Sequence, residues 1–469
     1  MLIKAGLPLA VGVLTALVPV PQGLAPSAWH FFALFAAVIA GLIIEPIPAA
    51  AIGFLGVTLA AVLSLVETTP EESIKWALGG LSNATVWLIF STFMLALGYQ
   101  KTGLGRRLGL LLVKKLGSRT LGLGYAIALA DLLLAPFTPS NTARSAGTIF
   151  PIIRSIPGLY GSEPGATGSR IGAYLMWTGL AATCVTGSMF ATALAPNLLA
   201  LDLIKKTSGV EISWMTWLVG FLPVGVILFA AVPLLIYVIY PPEIKTSREV
   251  PVWAGGELEK MGRMSRQEWM MAGLAMLALS LWIFGQHAIN ATTVAWVVIG
   301  LMLLTGIIAW DDILSHKQAW NVLLWFAFLV TLADGLARVG FTAWLGKGAA
   351  VLFAGYPPVL IMVLLVAVFF VTHYMFASLT AHATAMLPAF LAAGAAVPGM
   401  NVKVLALLLA YSLGLIGILT PYATGPSAVY FGSGYVSRKD FWLLGLIFGG
   451  IFLAVFLIIG VPYLLAIHP

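Results

Sequence analysis

The chain has 469 residues, of which 61% are apolar and 9% charged, with a formal net charge of +7. A soluble domain keeps roughly a quarter of its residues charged to hydrate its surface, so this composition excludes a water-soluble fold and places the chain in lipid. The single cysteine, Cys184, excludes a disulfide framework and a thiolate metal site, and the excess cations sit in short loops between apolar runs, where they orient a chain in a bilayer rather than bind nucleic acid.

The opening MLIKAGLPLAVGVLTALVPVP sets a lysine before an apolar run without a small-residue cleavage site and reads as an uncleaved first helix. Apolar runs follow near 30–44, 48–66, 84–99, 171–204, 214–240, 269–285, 292–309, 321–337, 402–420 and 441–467. With 6–20 they make about eleven transmembrane helices of roughly 20 residues each, an all-α polytopic membrane protein. Two further stretches, about 121–155 and 356–395, are broken midway by polar, proline-containing sequence. Each is predicted as a re-entrant hairpin, because non-helical backbone at membrane depth persists only where protein or a water-filled cavity satisfies it. Residues 241–268 carry mixed charge and read as a cytoplasmic linker between a first half, 1–240, and a second, 269–469.

With the amino terminus in the cytoplasm, Lys4, Lys101, Arg106, Arg107, Lys114, Lys115 and most other cations fall inside, while Lys75, Lys205, Lys206, Arg338, Lys347 and Lys403 fall outside. That bias predicts an external carboxyl terminus, and it leaves Arg144 alone in the membrane interior. The halves also resemble each other. Trp87-Leu-Ile-Phe followed by LALGYQKTGLGRRLG is echoed by Trp325-Phe-Ala-Phe followed by LADGLARVGFTAWLG, and each copy leads through an amphipathic stretch into a broken segment. The loop charges give the copies opposite orientations, the inverted-repeat arrangement of secondary transporters.

The first broken segment, LADLLLAPFTPSNTARSAGTIFPII, interrupts its helix at Pro136 and Pro139, just before Ser140, Asn141 and Thr142. In hydrocarbon the exposed N–H groups and side-chain donors of a helix start are costly unless an acceptor fills the gap, and a carboxylate suits both the donors and the dipole. The same three residues would also serve as a helix cap in a packed bundle. The second broken segment, THYMFASLTAHATAMLP, places Ser378, Thr380, His382 and Thr384 at the corresponding point. His382 is either a donor to a carboxylate, adding charge when protonated, or a satisfied structural histidine. Each half adds one more interrupted helix, with Thr192, Pro196 and Asn197 in the first and Thr420, Pro421, Thr424 and Pro426 in the second. Ser140, Asn141, Thr142, Ser378, Thr380, His382, Thr384, Pro196, Asn197, Thr420 and Pro421, together with Arg144, are the predicted substrate-binding set, with four broken helices meeting at one cavity.

Arg144 requires its own account, since a guanidinium at membrane depth must be paired or face water. It bears on substrate charge, closes a salt bridge with Asp131, or snorkels to the interface. Chains of intramembrane acids that would relay protons or bind several cations are missing, so the site reads as one for anions, with neither cofactor nor metal. HExxH, GxSxG and Walker sequences do not occur, which removes the usual protease, hydrolase and ATPase signatures. His30, His287, His316 and His468 lie near predicted helix ends and require no chemical role.

PSNTAR at 139–144, HYMFASLTAH at 373–382 and TPYATGP at 420–426 resemble the divalent anion/sodium symporter family. The likeness spans nearly the whole chain. It is greatest to the bacterial citrate/succinate and tartrate/succinate antiporters of that family, including APFTPSNTAR, EPIPA near residue 45 and YPPEI near residue 240. The resemblance implies a homodimer in the bacterial inner membrane, with a fixed scaffold and a transport domain that carries di- or tricarboxylates across by an elevator motion. It also implies that Ser-Asn-Thr motifs on two hairpin tips hold the substrate carboxylates. Ser140, Asn141 and Thr142 match the first motif fully, whereas the second has Leu379 between Ser378 and Thr380 where the family carries asparagine. The first interrupted helix keeps only Pro196 and Asn197 of the family's Gly-Thr-Pro-Pro-Asn, and Thr420 and Pro421 match the second. Sodium-coupled relatives offset substrate charge with bound cations. A fixed cation, Arg144 assisted by His382, in their place would make an exchanger rather than a symporter. A sodium-coupled dicarboxylate symporter is the alternative within the family, and a membrane-embedded enzyme the alternative outside it.

Overall fold

The computed structural model describes residues 2–285 and 288–469, with the side chains of residues 2–5 outside the description; His287 and the Lys4 side chain therefore lie outside the described residues. Within them the chain is helical throughout, relieved by one isolated bridge between Arg119 and Thr246. The first half runs α1 (Leu2–Leu17), α2 (Pro26–Ile44), α3 (Ala49–Val62), α4 (Pro70–Leu78), α5 (Ala84–Thr102), α6 (Leu104–Leu116) and α7 (Thr120–Leu134). After a break come α8 (Phe150–Ser155), α9 (Gly172–Met189), α10 (Ala195–Ser208) and α11 (Trp214–Ile239). The mixed-charge stretch that follows is not simply extended, because it folds α12 (Glu249–Met261) against α6. There Arg106 pairs with Glu257 (2.7 Å), and the buried Arg107 pairs with Glu268 (2.5 Å) at the start of α13.

The second half runs α13 (Arg266–Phe284), α14 (Ala291–Leu304), α15 (Trp310–Ser315), α16 (Lys317–Arg338), α17 (Phe341–Leu352), α18 (Pro358–Thr372) and α19 (Leu379–Ala395). It closes with α20 (Val402–Leu415), α21 (Gly425–Gly432), α22 (Arg438–Val455) and α23 (Val461–Ile467). The order of elements recurs: α5 and α6, then α7 into a break, α9 into a second break and α10, are followed in the second half by α16 and α17, then α18 into a break, α20 into a second break and α21. The hinge between the first two members is alike in both series. Gly103 (φ 77°) and Gly340 (φ 83°) each take the left-handed conformation that glycine adopts without steric cost, turning one helix directly into the next.

Among the described residues, eight helical stretches are long and apolar enough to cross a membrane by length and composition, and five shorter apolar helices accompany them. Their outer faces expose large apolar residues such as Leu59, Phe284, Leu304 and Leu446, a surface that only lipid or a protein partner covers without cost. Inside, the apolar side chains form two cores. The larger one surrounds α9 and α20, whose side chains are buried around the full circumference. The smaller one joins α2, α3, α4, α16 and α17 through Phe31, Phe35, Val57, Trp76, Phe328 and Phe341. The candidate site lies where residues from both groups of helices meet.

Candidate functional site

Each hairpin breaks because its sequence cannot continue the helix. α7 tightens into a short turn at Ala135–Phe137, the backbone extends at Thr138, and the chain re-enters helical conformation beyond Pro139. The returning limb begins as a π-helix, Thr142–Ile149, a rare form that is frequent at functional sites. Ser140 caps this limb by accepting from Ala143 N–H (3.1 Å). In the second half Ser378 caps α19, accepting from Ala381 N–H (3.3 Å). Both serines therefore act as caps, the alternative that the sequence offered for the first tip, and capping leaves their hydroxyls at the tips.

The two tips line one cavity of about 340 Å³. Ser140, Asn141 and Thr142 enter it from the first hairpin, Ser378, Leu379 and Thr380 from the second, and Pro196 and Thr424 from the two interrupted helices. Asn141 Nδ2 donates to Thr424 Oγ1 (2.9 Å), tying the first tip to the second interrupted helix. The approach is tight enough to require a glycine: a Cβ on Gly425 would stand 2.1 Å from Thr142 Oγ1. Pro139 O accepts from Ala195 N–H (2.7 Å), and Pro136 O accepts from Thr192 Oγ1 (2.6 Å), so the first tip is likewise sewn to the first interrupted helix. The opposite wall comes from other helices, with Phe93 from α5, Gln318, Val322, Trp325 and Phe326 from α16, and Glu45 at the end of α2.

Six residues of the predicted set stand behind this lining. Asn197 is fully buried and donates to Gly187 O (2.7 Å) and Phe190 O (3.2 Å), bracing the break in which it lies. Thr384 donates to Thr380 O (2.8 Å) within α19. Thr420 is buried with its hydroxyl unpartnered, and Pro421 is its half-buried neighbour. His382 is fully buried against Phe369 and Phe376, and its Nε2 lies 3.1 Å from Thr372 Oγ1.

Arg144 is the sixth. Of the three roles open to it, the structure gives it the salt bridge: Nε donates to Asp131 Oδ2 (3.1 Å), with both side chains at most 1% exposed. Nη1 donates to Thr138 O (2.8 Å) and Ala193 O (2.9 Å), one carbonyl at each break of the first half, and Nη2 donates to Thr183 Oγ1 (3.1 Å). Thr186 Oγ1 also donates to Asp131 Oδ2. The guanidinium thus stands between two interrupted backbones and supplies the donors their free carbonyls need.

Sequence reasoning did not place Glu45, Gln318, Trp325 or His373 in the site, although Glu45, Trp325 and His373 stand within motifs it quoted. The first three reach the cavity from helices remote in sequence. His373, whose Nε2 lies 3.1 Å from Ala423 O, links the second hairpin to the second interrupted helix much as Arg144 links the first pair. Its place at the head of HYMFASLTAH, opposite a broken helix in the repeat, was the available signal. Among the described residues no group of His, Cys, Asp and Glu is arranged to hold a metal ion.

A family model described as "Sodium:sulfate symporter transmembrane region" matches residues 1–467. The chain is 48% identical to the citrate/succinate antiporter of Escherichia coli K12, over 97% of this chain and 96% of that protein. It is 49% identical, over the same shares, to the L-tartrate/succinate antiporter of Shigella sonnei. Among solved structures, the YdaH transporter of Alcanivorax borkumensis superimposes with a TM-score of 0.54 at 14% identity, over 99% of this chain and 96% of that one. MtrF of Neisseria gonorrhoeae superimposes with a TM-score of 0.56 at 12% identity, over 98% and 93% of the respective chains. At these identities the structural likeness speaks to fold alone.

Proposed function

We propose a function from one premise: the chain belongs to the divalent anion/sodium symporter family, the family described as the sodium:sulfate symporter transmembrane region. It is a multi-pass membrane transporter and not an enzyme, and it works as an antiporter that exchanges di- and tricarboxylates such as succinate, malate, fumarate, tartrate or citrate. The observation that carries this reading is the convergence of two serine- and threonine-bearing tips on one cavity. Ser140, Asn141 and Thr142 hold one substrate carboxylate, Ser378 and Thr380 the other, and Leu379 contributes an apolar wall where the family carries an amide.

Exchange follows from what the empty site lacks. Arg144 is neutralised by Asp131, so the guanidinium alone does not bar an empty carrier from crossing. The barrier is the set of hydroxyl, amide and helix-start donors at the tips, which lose water when the site passes through the low-dielectric region and regain partners only from a carboxylate. Arg144 keeps both breaks of the first half fixed without a mobile cation; in the second half His373 joins the hairpin to the interrupted helix through Ala423 O, and His382 joins the two limbs of the hairpin through Thr372. This supports exchange that is independent of sodium.

In this reading the hairpins and interrupted helices form the moving unit, and the helices of the smaller core, with α5, form a scaffold past which it slides by an elevator motion. The recurrent element order supports two inverted repeats, 1–240 and 269–469, joined by the 241–268 segment. The protein acts as a homodimer in the bacterial inner membrane, its amino terminus cytoplasmic and its carboxyl terminus outside. The test is a counterflow panel. Liposomes loaded with unlabelled succinate are offered each labelled acid with and without sodium; uptake should require internal substrate and ignore sodium. Sodium-driven uptake into liposomes free of internal substrate would contradict exchange and favour symport.

A further inference from the structure

Among the residues that line the cavity, Glu45 is the one ionisable side chain, an acid facing a seat for anions. It ends α2 in the left-handed conformation (φ 47°, ψ 56°), a place usually taken by glycine or asparagine. Its N–H donates to Gly41 O (2.8 Å) and its side chain is exposed. A residue held in a sparsely populated conformation at the rim of a site is an observation from which a functional role can be argued.

Among the described residues no cation pairs with its carboxylate. α2 packs against α1, α3, α16, α17 and α19. α3 carries no ionisable residue, and Lys4 is the only one in α1. On α16, Arg338 is paired with Glu67 (2.6 Å) and Asp334 (2.6 Å), and Lys317 is exposed. Lys347 on α17 is exposed, and His382 on α19 is bonded to Thr372. Gln318, Glu45's neutral companion on the same wall, offers both a donor and an acceptor.

Resting on the carboxylate-exchange reading above, we propose that Glu45 is a specificity-determining residue that fixes the charge state of the substrate. The two tips offer hydroxyl and amide donors for two carboxylates. A carboxylate only accepts hydrogen bonds, so whatever substrate group meets Glu45 must carry a hydrogen. A third carboxyl is admitted when protonated and repelled when ionised. Glu45 thus restricts a tricarboxylate such as citrate to its singly protonated, doubly charged form, which brings the same charge into the site as succinate does and keeps the exchange of one for the other balanced.

The test measures citrate competition against labelled succinate in succinate-loaded liposomes at pH 7 and pH 8, for the wild type, Glu45→Gln and Glu45→Gly. Over that unit the doubly charged fraction of citrate falls about tenfold, so the wild-type affinity for citrate should fall by about that factor while succinate holds constant. Glu45→Gln should flatten the dependence and strengthen citrate binding at pH 8 by about tenfold, with succinate changed less than about threefold. Glu45→Gly, which removes the carboxylate and relieves the backbone, should match it. Equal shifts for both acids, unchanged citrate profiles, or an effect confined to Glu45→Gly would overturn the proposal. Loss of succinate counterflow in the wild type itself would overturn the exchange reading, and this role of Glu45 with it.

Discussion

Replacing Arg144 with methionine separates a structural cation from a substrate-binding one. The wild-type side chain is buried and makes four hydrogen bonds, to Asp131, Thr138 O, Ala193 O and Thr183. Methionine fills much of the volume and supplies no donor, leaving the Asp131 carboxylate buried with Thr186 as its remaining partner. Removing one member of a buried ion pair costs about 3–5 kcal/mol. The two orphaned carbonyls each add about 1 kcal/mol, less than additively because relaxation of one break relaxes the other. The expected loss is about 5 kcal/mol of stability, read by denaturant or thermal unfolding in detergent. Arg144→Met combined with Asp131→Asn should recover about 2 kcal/mol, because no unpaired charge then remains buried. An Arg144→Met protein within about 1 kcal/mol of the wild type, or a double variant no more stable than the single, would refute this reasoning and return the guanidinium to the substrate.

Gly425→Ala should lower the rate of succinate counterflow at least tenfold, because the added Cβ stands 2.1 Å from Thr142 Oγ1 and must push the first tip aside; a wild-type rate would show that the tip tolerates displacement. Asn141→Ala removes a 2.9 Å bond to Thr424 and a substrate donor together, so succinate affinity should fall by about 1–3 kcal/mol equivalent, measured by competition. Thr384→Val, at a residue whose hydroxyl serves its own helix (2.8 Å), should keep succinate affinity within about threefold, and a larger loss would bring that side chain into the cavity. Leu379→Asn restores the family's amide to the second tip and should strengthen succinate binding, provided sodium independence is retained; acquired sodium dependence would show that the leucine, rather than Arg144, excludes the cation.

Much of the site was legible because its parts are local. Pro136 and Pro139 beside Ser-Asn-Thr announce a broken helix and its donors in a single stretch, and the repeat points to Ser378 and Thr380 as their counterparts. The division of labour was not legible. Asn197 and Thr384 belong to the same motifs as the lining residues, yet helical geometry turns them away from the cavity onto backbone carbonyls. The choice among roles for Arg144 depended on two carbonyls, Thr138 O and Ala193 O, that sequence proximity does not bring together. Glu45 and Gln318 lie far from either hairpin in the chain, and no periodicity marks a residue that matters only because its helix ends beside someone else's tip.

The claim on which the account depends is that both tips face one substrate. In a Cys184→Ser background, Ser140→Cys and Ser378→Cys are labelled separately with a thiol reagent while succinate is titrated. The account predicts that succinate protects both cysteines with the same half-maximal concentration, because one molecule spans them. Protection of one alone, of neither, or of the two at concentrations differing by more than about tenfold would contradict it.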